Sequence, residues 1–272
     1  MKPDLQRRVQ RYGWDNAAPY YDTGWQKQLW PAQERLLSKI EIKPGDQVLD
    51  ISCGSGLVTL PIAKSVTPRG KVTGIDLSEG MIEKARTRTD ETDLSNVTYQ
   101  QMDAENLEFE DNRFDAVICS LGLMYFPYPE KALEEMYRVA KPGAEISTLV
   151  WGARKECGWA SIFSIVDKRV KSDVCPLFFK LGTGNALQKT FKSTGFKSVS
   201  LDRFSLSLNF KDDEQACIAA FWGGAVALAY QKFDKTNRAE ANNEYLNSIQ
   251  KFKTKDGYSI PGEFVIAKGM KS

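Results

Sequence analysis

Small residues and one carboxylate occupy a short segment that reads DISCGSG over residues 50–56. An apolar run at residues 47–51 overlaps the start of this segment, and a helical pattern at residues 57–65 follows it. This arrangement predicts a strand-to-helix turn. Glycine at such a turn lets the backbone approach a ligand closely, and the first amides of the helix are free to bind it. We therefore predict that this turn binds a polar ligand.

Two further acids follow the next predicted strands. Asp76 ends the strand predicted at residues 71–75, and Asp103 comes after the strand predicted at residues 97–101. A carboxylate in the first position can accept both hydrogen bonds of a ribose diol, and one in the second position can meet an adenine amino group. Because ligands bind at the carboxyl ends of parallel strands, the acids and the turn together indicate a nucleoside site.

These residues allow two other interpretations. A tight turn with two surface acids would have no ligand at all, but the position of all three features at consecutive strand ends favours a site. A dinucleotide would need GxGxxG, and Leu57-Val58-Thr59 follows Gly56 without supplying the third glycine. Asp50 would also lie poorly beside a pyrophosphate, whereas it suits the ammonium group of an amino-acid moiety.

The composition excludes several classes of enzyme. The 272-residue chain has no histidine, which excludes metal sites built on imidazole, Ser-His-Asp and Cys-His nucleophile systems, and any histidine base. The formal net charge is only +2, so nothing in the charge favours nucleic acid or an anionic membrane as a partner. The 42% hydrophobic content is enough for a full core.

The cysteines and the apolar runs indicate a cytoplasmic protein. The five cysteines are scattered and form no CxxC pair, which is typical of reduced thiols. No apolar run approaches the roughly 20 residues of a membrane helix, and the first residues are too polar for a secretory signal. We therefore expect no integral membrane segment. The cysteines are Cys53, Cys119, Cys157, Cys175 and Cys217.

Short apolar runs alternate with amphipathic segments up to residue 151, after a helical region of about forty residues. This alternation predicts a mostly parallel sheet covered by helices on both faces. Strands are predicted at 47–51, 71–75, 97–101, 114–119, 144–151, 197–208 and 262–269. Helices are predicted at 57–65, 78–88 with Ser78 as N-cap, 129–140, 158–171, 176–181, 185–194, 212–230 and 237–250, and a turn at 141–143.

The residues at the strand ends resemble a known family. Residues 50–56 resemble the first motif, D/E-x-G-x-G-x-G, of the class I S-adenosylmethionine (SAM) dependent methyltransferases. Asp76 resembles the ribose-binding acid of that family, and Asp103 with Ala104 resembles its adenine-binding pair. Residues 114–117 resemble its fourth strand, and residues 133–143 resemble its LxExxRVxKPG segment. Overall, the chain looks most similar to the ubiquinone/menaquinone type of C-methyltransferase.

The resemblance implies SAM as cofactor and a Rossmann-like α/β fold. It implies a seven-stranded sheet in the order 3-2-1-4-5-7-6, with the last strand antiparallel and helical cap insertions. Residues 1–45 would form an N-terminal helical lid, and residues 46–272 a methyltransferase domain with caps at about 154–183 and 211–256. The residues expected to bind SAM are Tyr21, Asp50, Ser52, Gly54, Gly56, Asp76, Leu77, Asp103, Ala104 and Ser120.

Two of these positions carry open questions. Ser52 occupies the first glycine position of the motif, so we expect its backbone to avoid a strongly positive φ, which would strain a serine. Residues 17–22, AAPYYD, look like the subgroup's Ala-x-x-Tyr-Asp element, in which a tyrosine closes over SAM. Tyr21 is the expected tyrosine, Tyr20 is the alternative, and either could instead pack in the core.

Methyl transfer from SAM mainly requires an acceptor atom at about 3 Å, in line with the bond that breaks, and the exclusion of water. The lack of histidine therefore does not count against it. Residues 120–125 follow the fourth strand, where the family's acceptor commonly meets the methyl group, although they could simply begin a hydrophobic helix. Tyr125 is the catalytic candidate. Carboxylates or another phenol remain alternatives as a base.

Aromatic residues are concentrated after the fifth strand and before the last one. They suit an apolar or aromatic metabolite as the methyl acceptor, or they form the core of the cap itself. A pair of glycines at 223–224 would mark close packing against a ligand or against a neighbouring helix. The aromatic residues are Trp151, Trp159, Phe163, Phe178, Phe179, Phe221, Trp222 and Tyr230.

Two alternative functions remain open at this point. A SAM-binding protein without methyl transfer, such as a sensor or a decarboxylating or cyclising relative, would have the same motifs. An RNA or protein methyltransferase is less favoured, because Ser120-Leu121-Gly122 stands where many amino-directed nucleic-acid enzymes have Asn/Asp-Pro-Pro-Tyr. We therefore expect a small-molecule acceptor and no nucleic acid, and the sequence does not indicate an oligomeric state.

Overall fold

The computed structural model describes residues 2–170 and 177–272, where eight strands form one sheet. The order is β3-β2-β1-β4-β5-β8-β6, and the short strand β7 pairs with β8. Strands β1 to β5 pair in parallel, whereas β8 is antiparallel to both β5 and β6. The strands are β1 Gln47–Ile51, β2 Lys71–Asp76, β3 Val97–Gln101, β4 Phe114–Ser120, β5 Ala140–Trp151, β6 Lys197–Phe210, β7 Lys253–Thr254 and β8 Gly257–Met270.

The predicted topology is confirmed. Apart from the two-residue β7, the order matches 3-2-1-4-5-7-6, with β8 as the antiparallel seventh strand. Strands β1, β2 and β4 are buried over most of their length because helices cover both faces of a parallel sheet. In β1, Val48, Leu49 and Ile51 are all fully buried. The outer strand β6 instead has mostly half-buried and exposed residues.

Ten α-helices surround the sheet in the described parts of the chain. Three of them, α3, α4 and α5, connect successive parallel strands. As predicted, Ser78 is the N-cap of α4, and its side chain accepts a hydrogen bond from the Met81 amide. The helices are α1 Pro3–Tyr21, α2 Lys27–Leu37, α3 Thr59–Ser65, α4 Glu79–Asp90, α5 Pro129–Val139, α6 Ser161–Asp167, α7 Ala186–Ser193, α8 Asp213–Cys217, α9 Ala227–Gln231 and α10 Lys235–Ile249.

The turn predicted at residues 141–143 lies inside β5. Phe114 pairs with Ala140 and Ala116 pairs with Glu145, so the register shifts between them. Gly143, with φ of +80°, lies within the extra length of β5. The predicted turn is therefore wrong, and residues 141–143 form an irregularity within a strand.

Two predicted helices of the cap differ from the structure. Residues 177–181 form turns rather than a helix, while Pro176, Lys171 and Cys175 lie outside the described residues. The helix predicted at 212–230 is divided into α8, a π-helical turn at Ile218–Trp222, and α9. A Cβ on Gly223 would lie 3.1 Å from the carbonyl oxygen of Tyr20. The glycines therefore allow the cap to pack against the N-terminal helix.

The N-terminal helices lie at the carboxyl end of the sheet and contact the cap. A π-helical turn at Asp22–Gln26 joins α1 to α2. A Cβ on Gly24 of this turn would lie 2.8 Å from Ala219 Cα, and the Trp25 indole donates to the Ala219 carbonyl at 2.9 Å. Within the described residues, none of the helices is long and apolar enough to span a membrane.

Candidate active site

A cleft with an empty volume of about 740 Å³ lies at the carboxyl ends of β1, β2 and β4. A smaller cavity of about 270 Å³ adjoins it beside the 50–56 turn, with Asp50 in its wall. Gly56 lines neither space, because it packs under the turn, where a Cβ would lie 3.0 Å from the Tyr99 hydroxyl. The predicted residues that line the cleft are Tyr21, Ser52, Gly54, Asp76, Leu77, Asp103, Ala104, Ser120 and Tyr125.

The backbone of Ser52 contradicts the expectation for this position. Its φ is +55°, close to the value of +54° at Gly54, so the serine adopts the left-handed conformation that the motif glycine normally provides. This conformation costs an L-residue about 1–2 kcal/mol, which the surrounding turn must offset. Gly122 after β4 leaves room for the side chain, since a Cβ there would lie 2.5 Å from Ser52 Cβ.

Backbone amides hold the Asp76 carboxylate at the end of β2. Its Oδ2 accepts from the Gly54 amide at 3.0 Å, and its Oδ1 accepts from the Ser78 amide at 2.9 Å. Burial raises the pKa of Asp76 to about 6, and these amides partly oppose the rise. A carboxylate has about four acceptor positions, so both oxygens can still accept hydrogen bonds from a diol in the cleft.

Asp50 is fully buried at the end of β1, and only one of its oxygens is satisfied. Oδ2 accepts from the Thr59 hydroxyl at 2.6 Å, whereas Oδ1 has no hydrogen-bond partner among the described residues. Burial, opposed by the Thr59 hydrogen bond and assisted by the charge of Asp76, raises the pKa of Asp50 to about 7. A cationic group beside the turn would satisfy Oδ1 and favour the ionised acid.

A second unsatisfied polar atom lies at the end of β4. The Ser120 Oγ is buried and has no hydrogen-bond partner in the described part of the chain. Ser120 lines both the main cleft and the smaller cavity that contains Asp50. Buried polar atoms usually have partners, so these two atoms together indicate where a polar ligand would bind.

Asp103 lies on the opposite side of the cleft, in the loop after β3. Its Oδ1 accepts from the Glu105 amide at 2.9 Å, and its Oδ2 lies 3.0 Å from Arg7 Nε. Arg7 also pairs with the Glu105 carboxylate, which accepts from the Tyr128 amide at 2.8 Å. The loop that carries the expected adenine-binding acid is therefore joined to helix α1.

Helix α1 covers the cleft through residues that the sequence analysis did not single out. Arg7, Gln10 and Trp14 line the cleft together with Tyr21. Asp15 accepts from the Ser78 hydroxyl at 2.6 Å and from the Gly80 amide at 3.1 Å. The contact joins α1 to the first turn of α4 across more than sixty residues of sequence, a separation over which no local pattern gives a signal.

Asp22, in the π-helical turn, makes a second contact of this kind. It accepts from the Ser55 hydroxyl at 2.6 Å and from the Arg88 guanidinium at 2.7 Å. Arg88 also donates from Nε to the Ser55 carbonyl at 2.9 Å. The N-terminal helices are therefore fixed to the glycine-containing turn itself.

The two tyrosines at 20 and 21 have different surroundings. Tyr21 lines the cleft and both neighbouring cavities, and burial raises its pKa above the ordinary range. Tyr20 is exposed and its ring lies 5.3 Å from that of Trp222. Of the two candidates, the structure therefore brings only Tyr21 to the cleft.

A third space, of about 410 Å³, lies beside the cleft under the cap. It shares Trp14, Tyr21, Leu121 and Tyr125 with the cleft. No carboxylate, lysine or arginine is among its described lining residues, so it suits an uncharged apolar ligand. We call it the apolar cavity, and its remaining wall consists of Trp25, Leu29, Trp151, Trp159, Ile162, Phe178, Ala219, Ala220, Gly224 and Ala225.

Only some of the cap aromatics line the apolar cavity. Trp151, Trp159 and Phe178 are in its wall. Phe163 and Phe179 lie behind them, with ring centroids 4.9 and 4.7 Å from that of Phe178. The other aromatics form the core of the cap, as the stacking of Phe221 on Tyr230 at 4.6 Å illustrates. Three of the predicted aromatic residues therefore line a cavity, and the others pack within the cap.

Comparison with known proteins supports the interpretation of the motifs. A family described as "Methyltransferase domain" matches residues 48–143. The demethylmenaquinone methyltransferase of Listeria welshimeri is 34% identical over 172 residues, which cover 63% of this chain and 69% of that protein. The protein of the same name from Staphylococcus aureus is 40% identical over 124 residues, which cover 46% and 50%.

Solved structures share the fold at lower identity. The phosphoethanolamine N-methyltransferase 2 of Haemonchus contortus in complex with SAM has a TM-score of 0.63 and 19% identity, over 94% of this chain and 57% of that one. The [4+2]-cyclase SpnF has a TM-score of 0.59 and 20% identity, over 91% and 82%. These structures show the fold alone. The fold, the motifs and the sequence relatives together establish that the chain belongs to the class I SAM-dependent methyltransferases and is related to the menaquinone-type enzymes.

Proposed function

We propose that this protein transfers the methyl group of SAM to a small, uncharged, ring-containing acceptor. The observation that carries the proposal is the junction of a polar cleft at the strand ends with an apolar cavity under the cap. Trp14, Tyr21, Leu121 and Tyr125 line both spaces, so the two ligands would meet there. The sequence relatives named as demethylmenaquinone methyltransferases favour a quinone-type acceptor.

The polar cleft offers a group for each part of SAM. Asp76 would accept from the ribose hydroxyls, and Asp103 with Ala104 would bind the adenine. The amino-acid end would lie beside the turn, where Asp50 Oδ1 and Ser120 Oγ have no partner among the described residues. A ligand with an ammonium and a carboxylate group could satisfy both atoms, since the acid accepts and the hydroxyl can donate.

The protein's contribution to the reaction is position and the exclusion of water. Bound SAM supplies a methyl group on a sulfonium, which is already a good leaving group. Helix α1 covers the cleft and the cap covers the apolar cavity, so the acceptor would react away from solvent. In the described wall of the apolar cavity the titratable side chains are Tyr21 and Tyr125, so an acceptor that loses a proton would meet phenols there.

We further propose that residues 1–45 act as a lid and that the segments at about 154–183 and 211–256 act as a cap over the acceptor. The location of Trp14 and Tyr21 in the cleft wall supports the first role, and that of Trp159 and Ala219 in the apolar cavity supports the second.

The free cysteines in the described chain support a cytoplasmic location.

The test combines binding with transfer. The purified protein is titrated calorimetrically with S-adenosylhomocysteine and then incubated with methyl-labelled SAM and a demethylated naphthoquinol. Binding together with label in the organic phase is the expected result. Binding without label in any acceptor would support a SAM-binding protein that does not methylate, and label in an RNA or protein fraction would contradict a small-molecule acceptor.

The Asp76→Asn variant tests the assignment of the cleft. Loss of the charge weakens the hydrogen bonds to a ribose diol, so the affinity for S-adenosylhomocysteine should fall by about 10-fold or more. The exposed acid Asp90 provides a matched control, and Asp90→Asn should bind the ligand as the wild type does. Equal affinity in Asp76→Asn and wild type would show that the ligand does not bind at the end of β2.

A further inference from the structure

Trp159 carries a buried hydrogen-bond donor that the protein does not satisfy. Its side chain is 3% exposed and lies in the wall of the apolar cavity. The indole Nε1 makes no hydrogen bond with any residue that the structure describes. Leaving a buried donor unpaired destabilises the folded protein by more free energy than a typical hydrogen bond contributes to it. Most buried N–H groups are therefore paired.

A neighbouring tryptophan of the same cavity shows the opposite arrangement. Trp25 also lines the apolar cavity, and its ring centroid lies 5.7 Å from that of Trp159. Its Nε1 donates to the Ala219 carbonyl at 2.9 Å, so it has nothing left to offer a ligand. The fold therefore satisfies one indole of the pair and leaves the other unsatisfied beside the same space.

The surroundings of Trp159 restrict the kind of ligand that could pair with it. An indole N–H donates and never accepts, so the ligand must present an acceptor atom. The Trp159 ring lies 4.7 Å from the Trp151 ring and 5.8 Å from the Phe178 ring, which surrounds it with aromatic faces and edges. Such a wall suits a flat ring, and the lack of charged side chains in the described lining disfavours an ionised one.

We propose that Trp159 is a specificity-determining residue whose indole N–H donates to an oxygen on the ring of the methyl acceptor. The inference rests on the proposed function, because it takes the apolar cavity as the acceptor site. It adds that the acceptor carries a carbonyl or hydroxyl oxygen, and that an acceptor with a plain hydrocarbon ring binds less well.

The first test measures binding and needs no methyl transfer. The probes are 1-tetralone and tetralin, which share their two rings and differ in a ketone oxygen. Their affinities are measured by calorimetry in the presence of S-adenosylhomocysteine, for wild type, Trp159→Phe and Trp25→Phe. For each protein the affinity for tetralone is divided by the affinity for tetralin. A change in packing that affects both probes equally cancels in this ratio.

In Trp159→Phe the ratio should fall by about 3- to 10-fold, which corresponds to the loss of one neutral hydrogen bond. Trp25→Phe should weaken both probes alike and keep the wild-type ratio. An unchanged ratio in Trp159→Phe, an equal fall in Trp25→Phe, or a cavity that binds neither probe would each overturn the inference. If the ratio changes as expected but no label is transferred from SAM, the proposed function fails and the binding role of Trp159 stands.

The second test compares thermal stability without ligand. Both variants remove the same volume from one cavity wall, but only Trp25→Phe leaves a carbonyl, that of Ala219, without its donor. The melting temperature should therefore fall more in Trp25→Phe than in Trp159→Phe. An equal or larger fall in Trp159→Phe would mean that its N–H has a partner within the protein, which would contradict the inference.

Discussion

At the scale of single residues, the site contains two acids at neighbouring strand ends, Asp50 fully buried and Asp76 half-buried. Asp76 raises the pKa of Asp50, and burial raises the pKa of both, to about 7 for Asp50 and about 6 for Asp76. The chain has no histidine, so few other side chains titrate between about pH 5 and 7.5. The pH dependence of stability in this range therefore reports on the site.

The sign of this dependence follows from the direction of the pKa shifts. In this range the folded protein binds protons that the unfolded chain has already lost, so stability should fall as pH rises. We expect the free energy of unfolding of the ligand-free protein to fall by about 1–3 kcal/mol from pH 5 to 7.5, measured by urea titration. Asp50→Asn should remove much of this fall, while Asp90→Asn at the exposed end of α4 should not. A flat wild-type profile would contradict the expectation.

Sequence reasoning found Asp50 and Asp76 because each lies in the last residues of a largely buried strand, which is a local signal. It did not anticipate the backbone of Ser52, since a serine ordinarily avoids a φ of +55°. The reason lies in Gly122, more than sixty residues away, which leaves space for the Ser52 side chain. Ser52 therefore adopts the backbone conformation of the motif glycine with the help of Gly122, which lies outside the motif.

At the scale of elements, helix α1 has an unusual buried face. Its buried residues include Gln6 and Gln10, whereas Leu5 and Tyr12 on other faces are exposed. This pattern is explained by the cleft beneath the helix, where Gln10 lies in the wall and Gln6 donates to the Tyr125 carbonyl at 3.3 Å. A helix that covers a polar ligand site need not have the apolar stripe of a core helix.

The contact of Asp15 with α4 is expected to hold this helix in place. Asp15→Ala removes the hydrogen bonds to the Ser78 hydroxyl and the Gly80 amide. We expect the amides of α1 to exchange with solvent about 5- to 10-fold faster and the affinity for S-adenosylhomocysteine to fall. Arg8→Ala is the control, because Arg8 is an exposed residue of the same helix. Equal exchange in the two variants would show that Asp15 does not secure the helix.

The elements themselves were predictable where local chemistry decides them. Strands β1, β2 and β4 follow from buried runs, and the N-cap of α4 follows from a serine before a helix. The break between α8 and α9 was not predicted, because the residues before Gly223 have ordinary helical character. The break arises where the backbone of Tyr20 approaches Gly223, and such a tertiary contact leaves no periodic signal in either segment.

At the scale of the whole molecule, the two cavities meet where three distant parts of the chain come together. The sheet supplies Ser120 and Leu121, the N-terminal helices supply Trp14 and Tyr21, and the cap supplies Trp159. The sequence predicted the first part well, since its motifs are local. The way in which the N-terminal helices and the cap close on each other depends on packing between segments about 190 residues apart.

The contact between Gly24 and Ala219 joins the N-terminal helices to the cap beside the apolar cavity. A Cβ on Gly24 would lie 2.8 Å from Ala219 Cα. Because this neighbour is a backbone atom, the added Cβ fits only if the cap moves away from the N-terminal helices. Gly24→Ala should therefore lower the free energy of unfolding by about 1–3 kcal/mol and weaken the binding of tetralin, because Ala219 lines the apolar cavity. Gly13→Ala in α1 is the control, since its new Cβ would lie 3.8 Å from Leu228 Cβ, an ordinary contact. That variant should gain up to about 1 kcal/mol of helix stability and bind tetralin as before. If Gly24→Ala keeps both wild-type stability and wild-type affinity, the N-terminal helices and the cap do not shape the apolar cavity through this contact.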